Sequence, residues 1–233
     1  MDFKINRIIL KISGEALSGG GFGLDEAVVD KVVGQIADVK SMGIDIGVVV
    51  GGGNFWRGRQ GRDMDRTVAD HMGMLATVMN AIALRDALER KGVYTRVMTS
   101  IDITRIAEPY IYKKAERHFE KGRVVIFGAG TGNPYFTTDT AAALKACEIH
   151  ADVLLLAKNI DGVYDSDPKV NKDAKKFDKI SYLEVINRGL TVMDKTALTM
   201  CMENKIPIIT FALDESDGIV KALTNKSGGT VIS

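Results

Sequence analysis

The sequence predicts an α/β protein, a three-layer αβα sandwich with a mainly parallel central sheet. Three observations carry that expectation. Apolar, strand-length runs recur along the 233 residues, and most of them are separated by stretches with helical spacing. The composition, 45% hydrophobic and 26% charged, suits one globular domain with a sizeable core or two tightly fused lobes. No repeat, low-complexity tract or interdomain linker interrupts it, so residues 1–233 read as a single domain.

The strand-like runs cover residues 8–12, 46–50, 95–98, 124–127, 153–156 and 206–211. After the first of them, Leu24, Val28, Val32, Ile36 and Val39 keep helical spacing behind Asp25, and Gly43 is placed to cap the helix end. The next helix spans 67–91 and stops at Gly92; a third spans 110–120 and stops at Gly122. Beyond the run at 124–127 the chain turns through polar residues, and Asp139 with the alanines after it starts a helix over 140–149. Residues 161–178, rich in Asp and Lys, read as a long loop, and loops of that length are usually functional. Alternation of this kind calls for parallel strands covered on both faces.

Charge and cysteine usage narrow the function. Lys plus Arg number 31 and Asp plus Glu 30, so a net charge of +1 offers no global field for nucleic acid or a membrane surface. An anion site must be local. Cys147 and Cys201 form neither a CxxC motif nor a Cys/His cluster, which argues against zinc and suits plain buried thiols in a reducing cytoplasm. No apolar run approaches a membrane span, and the expected location is cytoplasmic.

Three strand ends run into glycine-rich turns: KISGEALSGGGFG at 11–23, GGGNFWRGR at 51–59 and GAGTGNPYFTT at 128–138. In open α/β sheets ligands bind at this edge, where helix N-termini and backbone N–H groups converge. Successive glycines let those N–H groups approach an anion closely, so polyphosphate is the natural ligand; tight turns alone would explain one such loop. The chain has no Gly-Lys dipeptide, which excludes a Walker A loop. The dinucleotide fingerprint fails too, because Trp56 and Asn133 stand where its third glycine belongs.

The segments KISGEAL, GVVVGGGNFWRG, DHMGMLATVMNAIALRDAL, GAGTGNPYFTTDTAA, DGVYDSDP and LTVMD resemble, in order, the motifs of the bacterial uridylate (UMP) kinase family within the amino acid kinase superfamily. The resemblance spans nearly the whole chain, and the DHMGM and TGNPYFTT segments are specific to the UMP kinase branch. It implies an amino acid kinase-like fold, ATP with Mg²⁺ as the phosphoryl donor, UMP as the acceptor, and a homo-oligomer, a hexamer built from dimers. The N-terminal part would hold UMP and the C-terminal part ATP.

Carried onto this sequence, the resemblance implies a catalytic set of Lys11, Arg57 and Asp139. Lys11 would bridge donor phosphates and Arg57 would fork onto phosphate oxygens; Asp139 either caps the helix it opens or orients Lys11 or the metal-nucleotide. The ATP side would comprise Lys11, Ile12, Ser13, Gly14, Gly53, Arg57, Asn159, Tyr164 and Asp167. The UMP side would comprise Gly52, Asp70, Thr131, Gly132, Asn133, Pro134, Tyr135, Phe136, Thr137 and Thr138, with Asp70 accepting from ribose hydroxyls. Asp194 either approaches the phosphates or caps the helix after it. Trp56 either shields the site from water or meets another subunit, and Met72, Met74 and Met79 belong to the core or to a subunit contact. A non-enzymatic nucleotide sensor or oxoanion-storage protein on the same scaffold is the alternative, though only three histidines leave little for storing metal oxoanions.

Overall fold

A computed structural model describes residues 5–56, 63–168, 170–215, 217–224 and 228–233. Strand β1 (Arg7–Ile12) leads through a 3₁₀ turn (Gly14–Leu17) to α1 (Glu26–Ser41), followed by β2 (Asp45–Val50), α2 (Arg66–Arg90), β3 (Thr95–Thr99), β4 (Glu108–Pro109) and α3 (Tyr112–Glu120). Next come β5 (Val124–Gly128), α4 (Thr138–Glu148), β6 (Val153–Lys158), β7 (Val163–Tyr164), β8 (Lys176–Phe177) and β9 (Lys179–Ile180). The chain ends with α5 (Tyr182–Asn187), α6 (Lys195–Glu203), β10 (Ile208–Ala212), α7 (Gly218–Leu223) and β11 (Thr230–Ile232).

Nine strands form one sheet in the order β4-β3-β5-β2-β1-β6-β10-β11-β9, and its only antiparallel pair among the described residues is β10 with β11. Side chains alternate along each strand, so the sheet serves two cores. Ile8, Leu10 and Ile12 of β1 face the layer of α1, α2 and α7. Ile9 faces the layer of α3, α4, α5 and α6. The expected three-layer sandwich is what forms.

Local chemistry sets the helix ends. Asp25 accepts from the N–H groups of Ala27 and Val28 to start α1, and Gly43 takes the left-handed conformation (φ 82°) just past its end, where a side chain would be strained. Helix α4 corrects the expected start: Thr137 is its N-cap, accepting from Asp139 N at 3.1 Å, so Asp139 lies inside the first turn with its carboxylate free for another task. Residues 161–178 are likewise not one loop, because β7 and β8 pair antiparallel within them. The third helix starts at Tyr112, two residues later than expected, with Ile111 as its N-cap and edge strand β4 ending at Pro109. No helix among the described residues is long and apolar enough to cross a membrane.

Candidate active site

Period-two alternation puts Lys11 on the same sheet face as Ile9, towards α4. There its ammonium meets Asp139 Oδ1 at 2.6 Å, and only 8% of Lys11 is exposed. The first turn of α4 thus supplies both a counter-charge and the positive end of a helix dipole beside one buried lysine. Asp194 holds that turn in place. It caps α6 by accepting from Ala197 N at 2.8 Å, while its other oxygen accepts from the hydroxyls of Thr137 and Thr140. The carboxylate is therefore a cap that joins two helix starts.

Three strand ends converge here through close backbone approach. A Cβ on Gly14 would lie 2.7 Å from Gly53 N and 2.8 Å from Gly51 O, and one on Gly52 would lie 2.8 Å from both Ala76 Cβ and Gly73 O. These glycines are needed because two loops and a helix touch. Buried side chains then fix the loops to α2. Asn80 donates to Gly51 O at 2.6 Å and pairs reciprocally with Asn54, which donates to Gly23 O at 2.8 Å. Thr77 Oγ1 accepts from Ala129 N and donates to Met74 O, both at 2.7 Å. Sequence reasoning missed Asn54, Thr77 and Asn80; the one trace of the last two is polar residues recurring on the sheet-facing side of an apolar helix.

A small cavity of about 160 Å³ opens between α2 and the turn before α4. Gly52, Asp70, Thr131, Asn133, Phe136, Thr137 and Thr138 line it, whereas Gly132, Pro134 and Tyr135 do not. Asp70 Oδ2 accepts from Tyr135 N at 2.7 Å, and the Arg66 guanidinium lies 4.4 Å above the exposed Tyr135 ring. The N–H groups of Gly132, Asn133 and Tyr135 are spent within the turn or on Asp70. Those of Thr131, Phe136 and Thr137 have no hydrogen-bond partner among the described residues. Trp56 also lines the cavity, and its indole N–H donates to Ala69 O at 2.9 Å.

A larger cavity of about 680 Å³ lies on the other side of the ion pair, lined by Lys11, Ser13, Lys158, Asn159, Tyr164 and Asp167 among others. Gly53 and Asn159 border an adjoining hollow of about 320 Å³. Ile12 is fully buried in the core beneath, so it can offer this region only its main chain. Arg57 lies outside the described residues. Lys158, which sequence reasoning missed, ends β6, and burial holds its ammonium below the ordinary lysine value against the pull of Asp139. Among the described residues no cluster of three metal-ligating side chains occurs. Cys201 is buried and Cys147 half-buried, both as free thiols.

Residues 6–211 match the sequence model of the amino acid kinase family. The fold is similar to the crystal structure of UMP kinase from Ureaplasma parvum, with a TM-score of 0.95 and 39% identity, covering 99% of this chain and 100% of that one. For UMP kinase from Bacillus anthracis the TM-score is 0.94 and the identity 36%, covering 98% of this chain and 96% of that one. For uridylate kinase from Archaeoglobus fulgidus the values are 0.76 and 31%, with 97% and 99% covered.

Proposed function

This chain belongs to the amino acid kinase family, and we propose on that premise that it is a UMP kinase, moving the γ-phosphoryl group of ATP onto the phosphate of UMP to give UDP and ADP. The observation that carries the reading is the position of the buried ion pair between two cavities. Lys11 lines the larger, and Asp139 directly follows Thr138, which lines the smaller. A donor nucleotide in the first and an acceptor in the second would meet at that pair.

The attacking phosphate oxygen is already anionic at neutral pH, so the protein needs no general base. It must align two anions and absorb the charge that develops as the phosphoryl group moves. Lys11, held by Asp139, is the residue placed to follow that charge, with Arg57 as a second cation. The backbone of Gly52 and Gly53 lies between the nucleotides, and Ser13, Gly14, Asn159, Tyr164 and Asp167 belong to the ATP side. Mg²⁺, when bound, would neutralise part of the charge on the donor phosphates and would need only one or two protein carboxylates; Asp139 is the residue that would hold it.

On the acceptor side Asp70 fixes the turn through Tyr135 N and has a second oxygen to offer ribose. The spare N–H groups of Thr131, Phe136 and Thr137 cannot become acceptors. They suit the O4 of uracil and oppose the amino group of cytosine. A coupled assay with ATP, Mg²⁺ and a panel of acceptors tests the reading, and no ADP formation with UMP would overturn it.

The working unit is a homo-oligomer. Val68, Met72, Leu75 and Met79 follow one another at helical spacing along α2 and are all exposed, at 49%, 37%, 51% and 50%. A second copy covering this stripe accounts for them, and light scattering that finds only monomer at working concentration would refute it. The Met74 side chain, by contrast, is core.

A further inference from the structure

Lys11 and Asp139 cancel each other's charge, so neither supplies net attraction for a polyphosphate. A third charge does. Lys158 ends the strand next to β1, and its register puts it on the same sheet face as Lys11: Lys11 pairs with Leu156, and Lys158 lies two residues further on. Strand spacing and rise separate the two Cα atoms by about 8 Å, a distance two lysine side chains can span from either side of one phosphate chain. Leu154 and Leu156, which precede Lys158 on that face, are wholly buried in the core, and Lys158 itself lines the larger cavity. Among the described residues its ammonium has no ion-pair or hydrogen-bond partner; Asp139 and Lys11 are the charges it feels.

One more polar group on this face has no partner. Thr210 of β10 sits opposite Leu156, so Lys11, Leu156 and Thr210 form a row across three strands. Thr210 is 2% exposed, lines the same cavity, and its hydroxyl oxygen is buried without a hydrogen bond. A buried hydroxyl and a half-buried ammonium, both unpaired and both at one cavity wall, are costly unless a ligand completes them.

Resting on the reading of the larger cavity as the donor site, we propose that Lys158, supported by Thr210, binds the donor polyphosphate directly and forms with Lys11 a two-lysine clamp whose net charge comes from Lys158. Lys11 is the partner tied to Asp139; Lys158, without a partner of its own among the described residues, is the one left to engage phosphate.

Equilibrium binding to the full-length protein without acceptor tests this, using a non-hydrolysable ATP analogue, adenosine and inorganic tripolyphosphate. Lys158→Met should weaken the ATP analogue roughly 10- to 100-fold, the worth of one charge-assisted hydrogen bond, and leave adenosine unchanged. Lys158→Arg should recover most of the loss, and Thr210→Val should cost only about threefold to tenfold. In turnover, Lys158→Met should raise KM for ATP and lower kcat while KM for UMP stays put. Unchanged analogue affinity in Lys158→Met would overturn the clamp, and so would an equal loss for adenosine, which would mark a collapsed cavity. Should Lys158→Met fail to fold, wild-type protein must still let tripolyphosphate compete with the ATP analogue; failure to compete overturns the proposal as well. A protein that binds the analogue as expected but ignores UMP would refute the acceptor and leave the clamp standing.

Discussion

The small cavity is walled by α2, a 25-residue helix whose buried Thr77 and Asn80 hold the adjoining loops, and by a turn that Asp70 grips through a backbone N–H. The large cavity is walled in part by residues 159–168, which two-residue strands and the partly exposed Lys176–Asp161 pair hold in place. Buried, directional bonds fix geometry tightly because each would leave an unpaired group if it slipped. Exposed ion pairs contribute little and tolerate movement. On the proposed function, this contrast gives discrimination to the small cavity, and to the large one capture of a highly charged ligand that carries much of its own binding energy.

Base selection should show the largest effect. A site built around fixed donors should prefer UMP over CMP by roughly 10⁴-fold in kcat/KM. A ratio within about tenfold would break the comparison, since the small cavity would then be no better a reader than the large one. Next comes Lys11→Ala, expected to lower kcat on the order of 10² to 10³-fold, as loss of one preorganised charge donor does. Near-normal turnover by the folded variant would move the chemistry away from the Lys11–Asp139 pair.

Asp70→Ala removes both the grip on Tyr135 N and the oxygen offered to ribose, and should raise KM for UMP about 10- to 100-fold with KM for ATP unchanged. A change confined to ATP would show the cavities exchanged. Asn80→Ala strands Gly51 O and Asn54, and should lower folding stability by about 1 to 3 kcal/mol in denaturant titrations. A neutral result would mean that the α2 pins do not rigidify the small side.

The smallest effect belongs to the large side. Burial pushes Asp161 up, but hydrogen bonds from Lys176 and Tyr164 outweigh it and leave the carboxyl below its ordinary value. A folded-state pKa below the unfolded one adds stability above the unfolded value, and that stability is lost as pH falls through the folded one. Asp161→Asn should therefore cost under ~1 kcal/mol at neutral pH and nothing in acid, read from urea midpoints at the two pH values. A loss comparable to that of Asn80→Ala would erase the contrast between the two walls.

Much of this architecture is legible in the chain itself. Strand runs, helix periods, Asp25 and the glycines after each helix act through burial and backbone sterics that neighbours in sequence already specify. The same holds for the glycine loops at strand ends, since parallel strands bring those ends to one edge whatever the partners. Shorter pieces escaped: β7 and β8 are two residues each, and pairs so short are fixed by the ladder they join rather than by their own pattern. The helix start beside the site was misplaced by two residues because Thr137 and Asp139 can each cap, and only the tertiary contact that draws Asp139 to Lys11 leaves the cap to Thr137.

Composition and pattern alone determined that this chain folds as a doubly covered, mainly parallel sheet with glycine-rich turns at its edge. Tertiary structure decided which charges remain unpaired. Lys11 and Lys158 are both lysines at strand ends, yet one meets a carboxylate at 2.6 Å and the other meets none within ion-pair distance among the described residues. Register and helix placement, set by packing between residues far apart in sequence, separate the two. The outward stripe of α2 and its inward Thr77 and Asn80 differ for the same reason: helical spacing tells which residues share a face, and only the sheet tells which face is inside.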